Sequence, residues 1–208
     1  MQRWGLTGGI ACGKSTVTAL LRRLGARVVD ADQLAREVVA PGTQGLRRVV
    51  ERFGDGVLTP RGELDRKALG ELVFHDAAAR ADLEAITHPL IGRLRDDLTR
   101  EAEASGAPVL VYDAALLVEK GLHRGLDQVI VVDASPETQM RRLRARDGLT
   151  QEAALARVSS QMPLADKRAA ATVVLTNDGT VEELERAVGE TWARLSPGSP
   201  PGPARPGA

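Results

Sequence analysis

The sequence is poor in cysteine and in aromatic residues, and its charges balance. Its single cysteine, Cys12, excludes an intramolecular disulfide framework and a zinc site built from several cysteines. Two Trp, one Tyr and two Phe are too few for a platform on which single-stranded nucleic acid stacks its bases. The 28 basic and 28 acidic residues cancel, so no overall field attracts nucleic acid or a membrane. We therefore expect neither partner, and any anion site has to be made locally.

Long apolar runs are also missing. No stretch approaches the length of a membrane-spanning helix, and the N-terminus has no charged segment followed by an apolar one. These features predict neither secretion nor membrane insertion, and with the single cysteine they favour the reducing cytoplasm. The 208 residues suffice for a substantial core, and we expect one domain over residues 1–195. Residues 196–208 are almost all Pro, Gly, Ser and Ala, which predicts a disordered tail.

A glycine-rich motif, G-x-x-x-x-G-K-[ST], begins at Gly8. A short apolar run precedes it, as a buried strand does, and apolar residues follow it at helical spacing as far as Leu24, before Gly25. In that context the glycines let backbone N–H groups turn inward around phosphates, and the helix N-terminus adds positive charge. Lys14 would then reach the β- and γ-phosphates, and the Ser15 hydroxyl would bind Mg²⁺. The motif predicts a nucleoside triphosphate site, and a chance glycine-rich turn is the alternative.

Five short buried runs alternate with helical patterns along the chain. This alternation predicts an α/β fold, with a five-stranded parallel sheet covered by helices on both faces in three layers. Between Thr43 and Ser105 the pattern is helical, and roughly sixty residues are too many for an ordinary crossover. We expect an inserted helical subdomain that holds the second substrate. The predicted bounds are core 1–31, 106–140 and 169–195, helical insertion 32–105, and a small helical lid 141–168.

Carboxylates follow the predicted strands, and ligands of parallel sheets bind outside the carboxyl ends of the strands. Asp32 comes two residues after the second strand, where it could take a proton from an alcohol that receives a phosphoryl group, or could cap the next helix. Asp30 could serve Mg²⁺ through water or act as a local cap. Asp113 and Asp133 each end an apolar strand. This position is typical of a carboxylate that holds Mg²⁺ indirectly. We favour Asp113, because the third strand usually neighbours the first.

The helix that Ser135 and Pro136 introduce is rich in arginine. Arg142 and Arg146 lie one turn apart on one face. A guanidinium group offers rigidly arranged N–H donors to the negative charge of a phosphoryl group during its transfer. A mobile segment could bring such an arginine over ATP. A solvated arginine face is the alternative. Near the middle of the chain, His88 precedes Pro89 without a partner at metal spacing, which favours a capping or structural histidine.

The sequence resembles the dephospho-coenzyme A kinase family from residue 2 to about residue 192. The residues that carry the resemblance are Leu6-Thr7-Gly8-Gly9, Asp30-Ala31-Asp32 with Arg36-Glu37, His88-Pro89-Leu90-Ile91, Leu116-Leu117 with Glu119, Ser135-Pro136-Glu137-Thr138-Gln139 with Arg142 and Arg146-Asp147, Gln161-Met162 with Lys167-Arg168, and Asn177 with Gly179. The phosphate loop alone indicates only a nucleotide site. Its combination with the Asp-Ala-Asp and His-Pro elements is far more selective.

The resemblance implies a P-loop kinase that phosphorylates the 3′-hydroxyl of the ribose of dephospho-coenzyme A with ATP and Mg²⁺. The implied catalytic residues are Asp32 as base, Lys14, and Arg142 from the lid. The implied ATP contacts are Gly9, Ala11, Cys12, Gly13, Lys14, Ser15, Thr16, Arg142, Arg146 and Asn177, the last near adenine. The implied acceptor contacts are Thr7, Asp32, Arg36, His88, Leu116, Leu117 and Glu119. Ser15 and, indirectly, Asp113 would hold Mg²⁺, in a monomer or small homo-oligomer.

The sequence departs from the family pattern inside the phosphate loop. Ala11 and Cys12 stand where the family usually has Gly and Ser, which predicts less backbone freedom and one hydroxyl fewer at the nucleotide. Two other functions fit the loop: another small-molecule or nucleotide kinase of the P-loop group, and a non-enzymatic nucleotide switch. The switch is disfavoured because the chain contains no D-x-x-G and no [NT]-K-x-D tetrapeptide.

Overall fold

The computed structural model describes residues 1–197 and contains a five-stranded sheet with helices on both faces. The strands are β1 (Gln2–Gly8), β2 (Arg27–Asp30), β3 (Val109–Asp113), β4 (Gln128–Asp133) and β5 (Val173–Thr176). They are all parallel, in the order β2-β3-β1-β4-β5. The α/β class and the five-stranded parallel sheet predicted from the sequence are therefore confirmed. The predicted tail, residues 196–208, lies outside the described residues except for its first two positions.

Helices occupy most of the remaining described chain. They are α1 (Lys14–Arg23), α2 (Ala31–Glu37), α3 (Gln44–Phe53), α4 (Arg66–His75), α5 (Ala77–Ala104), α6 (Pro136–Asp147), α7 (Gln151–Ser159), α8 (Leu164–Ala169) and α9 (Val181–Leu195), with a short 3-10 helix over Asp55–Val57. The described chain forms two compact units, residues 30–101 and residues 1–29 with 102–197. The predicted bounds of the insertion and the lid stay predictions.

The larger unit is built around β1, the central strand of the sheet. It pairs with β3 on one side and β4 on the other, and Leu6 lies opposite Asp113 of β3 and Ile130 of β4. Both faces of such a strand are buried, which explains why the sequence reads as a continuous apolar run there. Trp4 has no exposed surface and meets Trp192 of α9 edge to face, with the ring centres 5.5 Å apart. The strand that leads into the glycine-rich loop is thus rigidly held.

The helix that follows β4 begins as the sequence predicts. The Ser135 hydroxyl accepts a hydrogen bond from the Thr138 backbone N–H, and Pro136 occupies the first turn, where no N–H donor is required. The helix ends at Gly148, whose φ of 66° is left-handed. These signals set where α6 starts and stops, and they place Arg144 and Arg146 in its last turn.

The smaller unit, residues 30–101, is helical and has a core of its own. Its buried centre consists of Val38, Val39, Val49, Val57 and Leu69. Thr43 caps α3 by accepting a hydrogen bond from the Leu46 N–H at 3.1 Å. The long helix α5 continues through Pro89, although proline cannot donate the hydrogen bond of that turn. In the part of the chain that the structure describes, no helix is both long and apolar enough to cross a membrane.

Candidate active site

The glycine-rich loop joins β1 to α1 with two residues in the left-handed region. Gly13 has a φ of 89° and Ala11 a φ of 57°, and Ala11 is the one residue other than glycine with positive φ among residues 1–197. No side chain from these residues caps α1. The first-turn N–H groups of Lys14 and Ser15 have no partner within a helix, so they are free to bind an anion. The loop has the conformation that phosphate binding requires.

Asn177, which follows β5, packs directly against the loop. Its Nδ2 donates a hydrogen bond to the Cys12 carbonyl at 2.8 Å, and its own N–H donates to the Asp133 carbonyl at 2.8 Å. A Cβ added to Gly13 would lie 2.2 Å from Nδ2 of Asn177, so the amide would have to give up its hydrogen bond to the Cys12 carbonyl. The glycine of the motif is therefore required both by its backbone conformation and by its neighbour.

Arg142 of α6 also faces the loop. Its guanidinium donates weakly to the Ala11 carbonyl and to Oδ1 of Asn177, both at 3.4 Å. Arg146, one turn further, pairs instead with Asp147 through two hydrogen bonds of 2.7 and 3.0 Å, and Arg157 also contacts Asp147. The hydrogen bond to Asp147 raises the pKa of Arg146. The same bond is the main reason that the pKa of Asp147 lies below its usual value, and Arg157 adds to this effect. The two arginines share a face in sequence but have different partners.

Two glutamines hold the tip of the loop, and sequence reasoning did not name them as site residues. Gln161 accepts a hydrogen bond from the Ile10 N–H at 2.6 Å, and Gln139 donates one to the Ile10 carbonyl at 2.8 Å. Gln139 also lies where a Cβ on Gly9 would be, at 2.7 Å. Both belong to the stretches that carry the family resemblance, which was the available signal for their importance.

Of the two carboxylates that end the strands beside β1, only Asp113 contacts the loop lysine. Asp113 is 3% exposed, forms an ion pair with Lys14 through Oδ1, and accepts a hydrogen bond from the Thr18 hydroxyl through Oδ2 at 2.7 Å. Asp133 has a different partner, Arg168, at 3.3 Å. Both β3 and β4 are neighbours of β1, so strand order alone does not decide between Asp113 and Asp133. Their side-chain contacts do, because Asp113 pairs with Lys14 and Asp133 does not.

The Cys12 side chain is buried in the interior of the protein. It has no exposed surface and belongs to the apolar core beneath the loop. This burial, assisted by the charge of Asp133, raises the pKa of the thiol from 9.0 to about 11, although hydrogen bonding with Gly9 acts in the opposite direction. The thiol is therefore neutral at physiological pH, and Cys12 can meet a nucleotide only through its backbone.

A second polar cluster lies above β1 and β3. Thr7 and Lys167 both donate to the Ala115 carbonyl, at 3.1 and 2.7 Å, and Lys167 also forms an ion pair with Glu119 at 2.7 Å. Leu116 is 51% exposed, whereas Leu117 is fully buried and fills the space beside Gly5. Of the two leucines implied as acceptor contacts, Leu116 therefore offers a side chain, and Leu117 can contribute only main-chain atoms.

In the smaller unit, Asp30 and not Asp32 caps helix α2. Oδ1 of Asp30 accepts hydrogen bonds from the N–H groups of Asp32 and Gln33, at 2.9 and 3.1 Å. The alternative prediction that Asp32 is the cap is wrong, because Asp32 already lies inside the first turn. Its carboxylate is exposed and has no hydrogen-bond partner within residues 30–101. Arg36, in the last turn of the same helix, is exposed as well.

His88 lies in the interior of a helix. It is exposed on α5, which runs from Ala77 to Ala104. The prediction of a capping histidine is therefore wrong, because the chain keeps its helical conformation through Pro89. Among residues 1–197 no group of three or more His, Cys, Asp or Glu side chains is arranged to hold a metal ion.

Comparison with known proteins decides the family. The family model described as dephospho-CoA kinase matches residues 3–183. The chain belongs to the dephospho-CoA kinase family. A dephospho-CoA kinase of Geobacter sulfurreducens is 54% identical over 193 residues, covering 93% of this chain and 98% of the relative. One of Streptomyces avermitilis is 50% identical over 195 residues, covering 94% of each chain.

Solved structures agree with this dephospho-CoA kinase assignment. The crystal structure of TT1252 from Thermus thermophilus is 41% identical and superposes with a TM-score of 0.79, covering 93% of this chain and 97% of that one. Dephospho-CoA kinase from Campylobacter jejuni is 28% identical, with a TM-score of 0.71, covering 95% and 99%. The resemblance stated from the sequence is thus confirmed over nearly the whole chain.

Ser15 and Asp113 carry oxygen donors of the kind that Mg²⁺ prefers. Magnesium prefers hard oxygen ligands and keeps several of its waters, so one hydroxyl and one nearby carboxylate suffice. Ser15 is exposed in the first turn of α1, next to Lys14. Asp113 is an almost buried carboxylate at the end of β3, with Lys14 and Thr18 as its present partners. These residues fit a metal that Ser15 would bind directly and Asp113 through water.

Proposed function

We propose that this protein transfers the γ-phosphoryl group of ATP to the 3′-hydroxyl of the ribose of dephospho-coenzyme A, which yields coenzyme A and ADP. One structural observation supports the phosphoryl chemistry most directly. The N-terminus of α1 has no side-chain cap, and Lys14 lies beside it at the end of the left-handed loop. Membership of the dephospho-CoA kinase family supports the choice of acceptor.

The loop would hold the phosphates of ATP mainly through its backbone. We assign the contacts to Gly9, Ala11, Cys12, Gly13, Lys14, Ser15 and Thr16. The positive end of α1 favours the negative phosphates, and the Lys14 ammonium adds a full charge next to them. Because Lys14 now pairs with Asp113, its ammonium is already held close to the loop before a nucleotide arrives.

Ser15 and Asp113 would hold Mg²⁺ in this proposal. When bound, the ion neutralises charge that develops on the phosphate oxygens during transfer. The Thr18 hydroxyl, at 2.7 Å from Oδ2 of Asp113, orients that carboxylate. Orientation of this kind matters because a carboxylate that acts through water has to present its oxygens in a defined direction.

Asp32 is assigned as the base. The 3′-hydroxyl oxygen attacks the γ-phosphorus, the bond from that phosphorus to the oxygen shared with ADP breaks, and the hydroxyl proton passes to the Asp32 carboxylate. The carboxylate is exposed, and the capping task of α2 falls to Asp30. Asp32 therefore has no structural role within its unit that competes with proton transfer.

Arginine side chains and one amide complete the ATP side. We assign Arg142 to the charge of the transferring phosphoryl group, because its guanidinium lies 3.4 Å from the Ala11 carbonyl and a small side-chain movement would bring it to a bound phosphate. Arg146 would join it from the lid, 141–168, by exchanging Asp147 for the nucleotide. Asn177 would lie near adenine, and its N–H, which donates to the Asp133 carbonyl at 2.8 Å, fixes its backbone.

The acceptor contacts are assigned within each unit separately. In the sheet unit they are Thr7, Leu116, Leu117 and Glu119, and in the helical unit they are Asp32, Arg36 and His88, with the helical insertion 32–105 as the part that receives the acceptor. ATP and dephospho-coenzyme A are the partners, and we propose a monomer or small homo-oligomer in the cytoplasm, where a single unpaired thiol such as Cys12 is normal.

An acceptor panel with ADP release as the readout tests the function. Purified protein with ATP and Mg²⁺ is offered dephospho-coenzyme A, AMP, shikimate and gluconate, and the phosphorylated product is identified by mass. We expect ADP release to depend on dephospho-coenzyme A. Release with one of the other acceptors but not with dephospho-coenzyme A would overturn the proposal in favour of another P-loop kinase, and binding of GTP without transfer would favour a nucleotide switch.

A further inference from the structure

Lys167 is a buried lysine that the proposed reaction leaves without a role. It is 1% exposed and lies in the short helix α8, close to the start of β5. Lysine is seldom buried this completely unless its charge is paired. Its ammonium donates to the Ala115 carbonyl at 2.7 Å and pairs with Oε1 of Glu119 at 2.7 Å. The lysine thus holds two points of the segment that follows β3.

The Ala115 carbonyl links this lysine to the end of the phosphate-loop strand. It accepts a second hydrogen bond, of 3.1 Å, from the hydroxyl of Thr7, which is itself fully buried in β1. One carbonyl oxygen therefore receives donors from β1 and from α8. Movement of Lys167 would release the Glu119 carboxylate, whereas the Ala115 carbonyl would keep its hydrogen bond from Thr7.

Glu119 has one carboxylate oxygen committed and one free. Oε1 faces Lys167, while Oε2 is buried and has no hydrogen-bond partner among residues 1–197. A buried carboxylate oxygen without a donor is costly, so it indicates a donor that arrives from outside the described protein. The side chain of Glu119 is 20% exposed, which leaves an approach from solvent.

We propose that Lys167 is a positioning residue that holds the Glu119 carboxylate so that its free oxygen accepts a hydrogen bond from a hydroxyl or amide N–H of the acceptor. The inference rests on the proposed function, in which Glu119 is an acceptor contact. Lys167 itself does not touch the acceptor, because its ammonium is enclosed by Ala115 and Glu119. Its effect should therefore appear in acceptor binding and not in ATP binding.

The test uses Glu119→Gln, Lys167→Gln and the double variant in the full chain, each assayed for KM of both substrates and for kcat. We expect either single variant to raise KM for dephospho-coenzyme A roughly tenfold, the effect of losing a hydrogen bond to a charged group. KM for ATP should stay at the wild-type value. The double variant should match Glu119→Gln, because the Ala115 carbonyl keeps its hydrogen bond from Thr7 and Lys167 then affects the acceptor only through Glu119. Lys67→Met, which alters an exposed lysine of α4, is the matched control and should match the wild type.

Stability and binding separate a positioning role from a structural one. Lys167→Gln leaves a buried carboxylate unpaired and should lower the melting temperature by roughly 10 °C, whereas the neutral double variant should recover much of that loss. If the single variant does not fold, the double variant and Glu119→Gln still give the comparison. The inference is overturned if the double variant raises the acceptor KM beyond that of Glu119→Gln, or if Lys167→Gln raises both KM values equally. Wild-type protein that does not use dephospho-coenzyme A would instead refute the proposed function.

Discussion

The two compact units hold their candidate functional side chains in opposite ways. In the unit with the sheet, Lys14, Arg142 and Asn177 are each engaged with the phosphate loop or with a strand-end carboxylate. In the helical unit, Asp32 and His88 are exposed, and the local capping bonds of α2 belong to another residue. The phosphate side is therefore built in advance by protein contacts.

This difference matches what each side has to do in phosphoryl transfer. Stabilising the charge on a phosphoryl group requires donors that are oriented before the reaction. Reorienting them during the reaction would cost free energy and offset the stabilisation of the transition state. A base needs a free carboxylate until the alcohol arrives. We expect variants in the sheet unit to weaken phosphate stabilisation, and variants in the helical unit to impair transfer while ATP still binds.

The largest effect should come from Lys14→Ala in the sheet unit. Loss of the ammonium removes charge from the developing phosphoryl transition state and leaves Asp113 without its ion-pair partner, so turnover should fall by roughly 10³-fold. Steady-state ADP release measures this, with Lys67→Ala as the control. A decrease of only a few-fold would show that the loop does not act on the phosphates as assigned.

Asp32→Asn tests the helical unit. Without a base, turnover should fall by about 10²-fold or more, while the dissociation constant for ATP stays near that of the wild type. Calorimetric titration of ATP and product assays measure the two effects separately. The control is Asp65→Asn, which keeps a side chain able to cap α4. Unchanged turnover would remove Asp32 from the mechanism, and loss of ATP binding would break the division between the two units.

The buried Cys12 thiol predicts how the stability of the sheet unit depends on pH. Its pKa is raised from 9.0 to about 11 in the folded protein, so the unfolded chain loses this proton first. The stabilisation is complete below pH 9 and is lost as the pH rises towards 11, by about 2–3 kcal/mol. Urea unfolding from pH 8 to 11 measures this loss. Cys12→Ala should show a smaller decrease, and equal slopes for the two proteins would contradict the assignment.

Ala11→Gly should have the smallest effect. The φ of 57° at Ala11 is unfavourable for a residue with a Cβ, so glycine should stabilise the protein by up to about 1 kcal/mol, or a few degrees of melting temperature. Ala85→Gly, at an exposed position of α5, is the matched control and should destabilise by about 1 kcal/mol. A destabilised Ala11→Gly protein would show that the alanine methyl contributes packing that outweighs its backbone strain.

The course of the strands and of most helices was predictable because their signals are local. Apolar runs that end in Asp30, Asp113 and Asp133 appear as β2, β3 and β4, and the Ser135 cap starts α6 where expected. Pro89 misled the local reading, since the residue before proline is usually outside a helix. In α5 the helix continues regardless, because packing of its apolar side chains against the core of the helical unit outweighs one missing hydrogen bond.

The sequence by itself determined the phosphate loop, the parallel α/β sheet, the acids at the strand ends and the family, because each is encoded by residues close together in the chain. Only the tertiary structure decided which acid meets Lys14, why Arg142 and Arg146 have different partners, and that Lys167 is paired with Glu119. Those contacts join residues far apart in the chain. Their partners are chosen by strand order and by the burial of charge, neither of which a local pattern records.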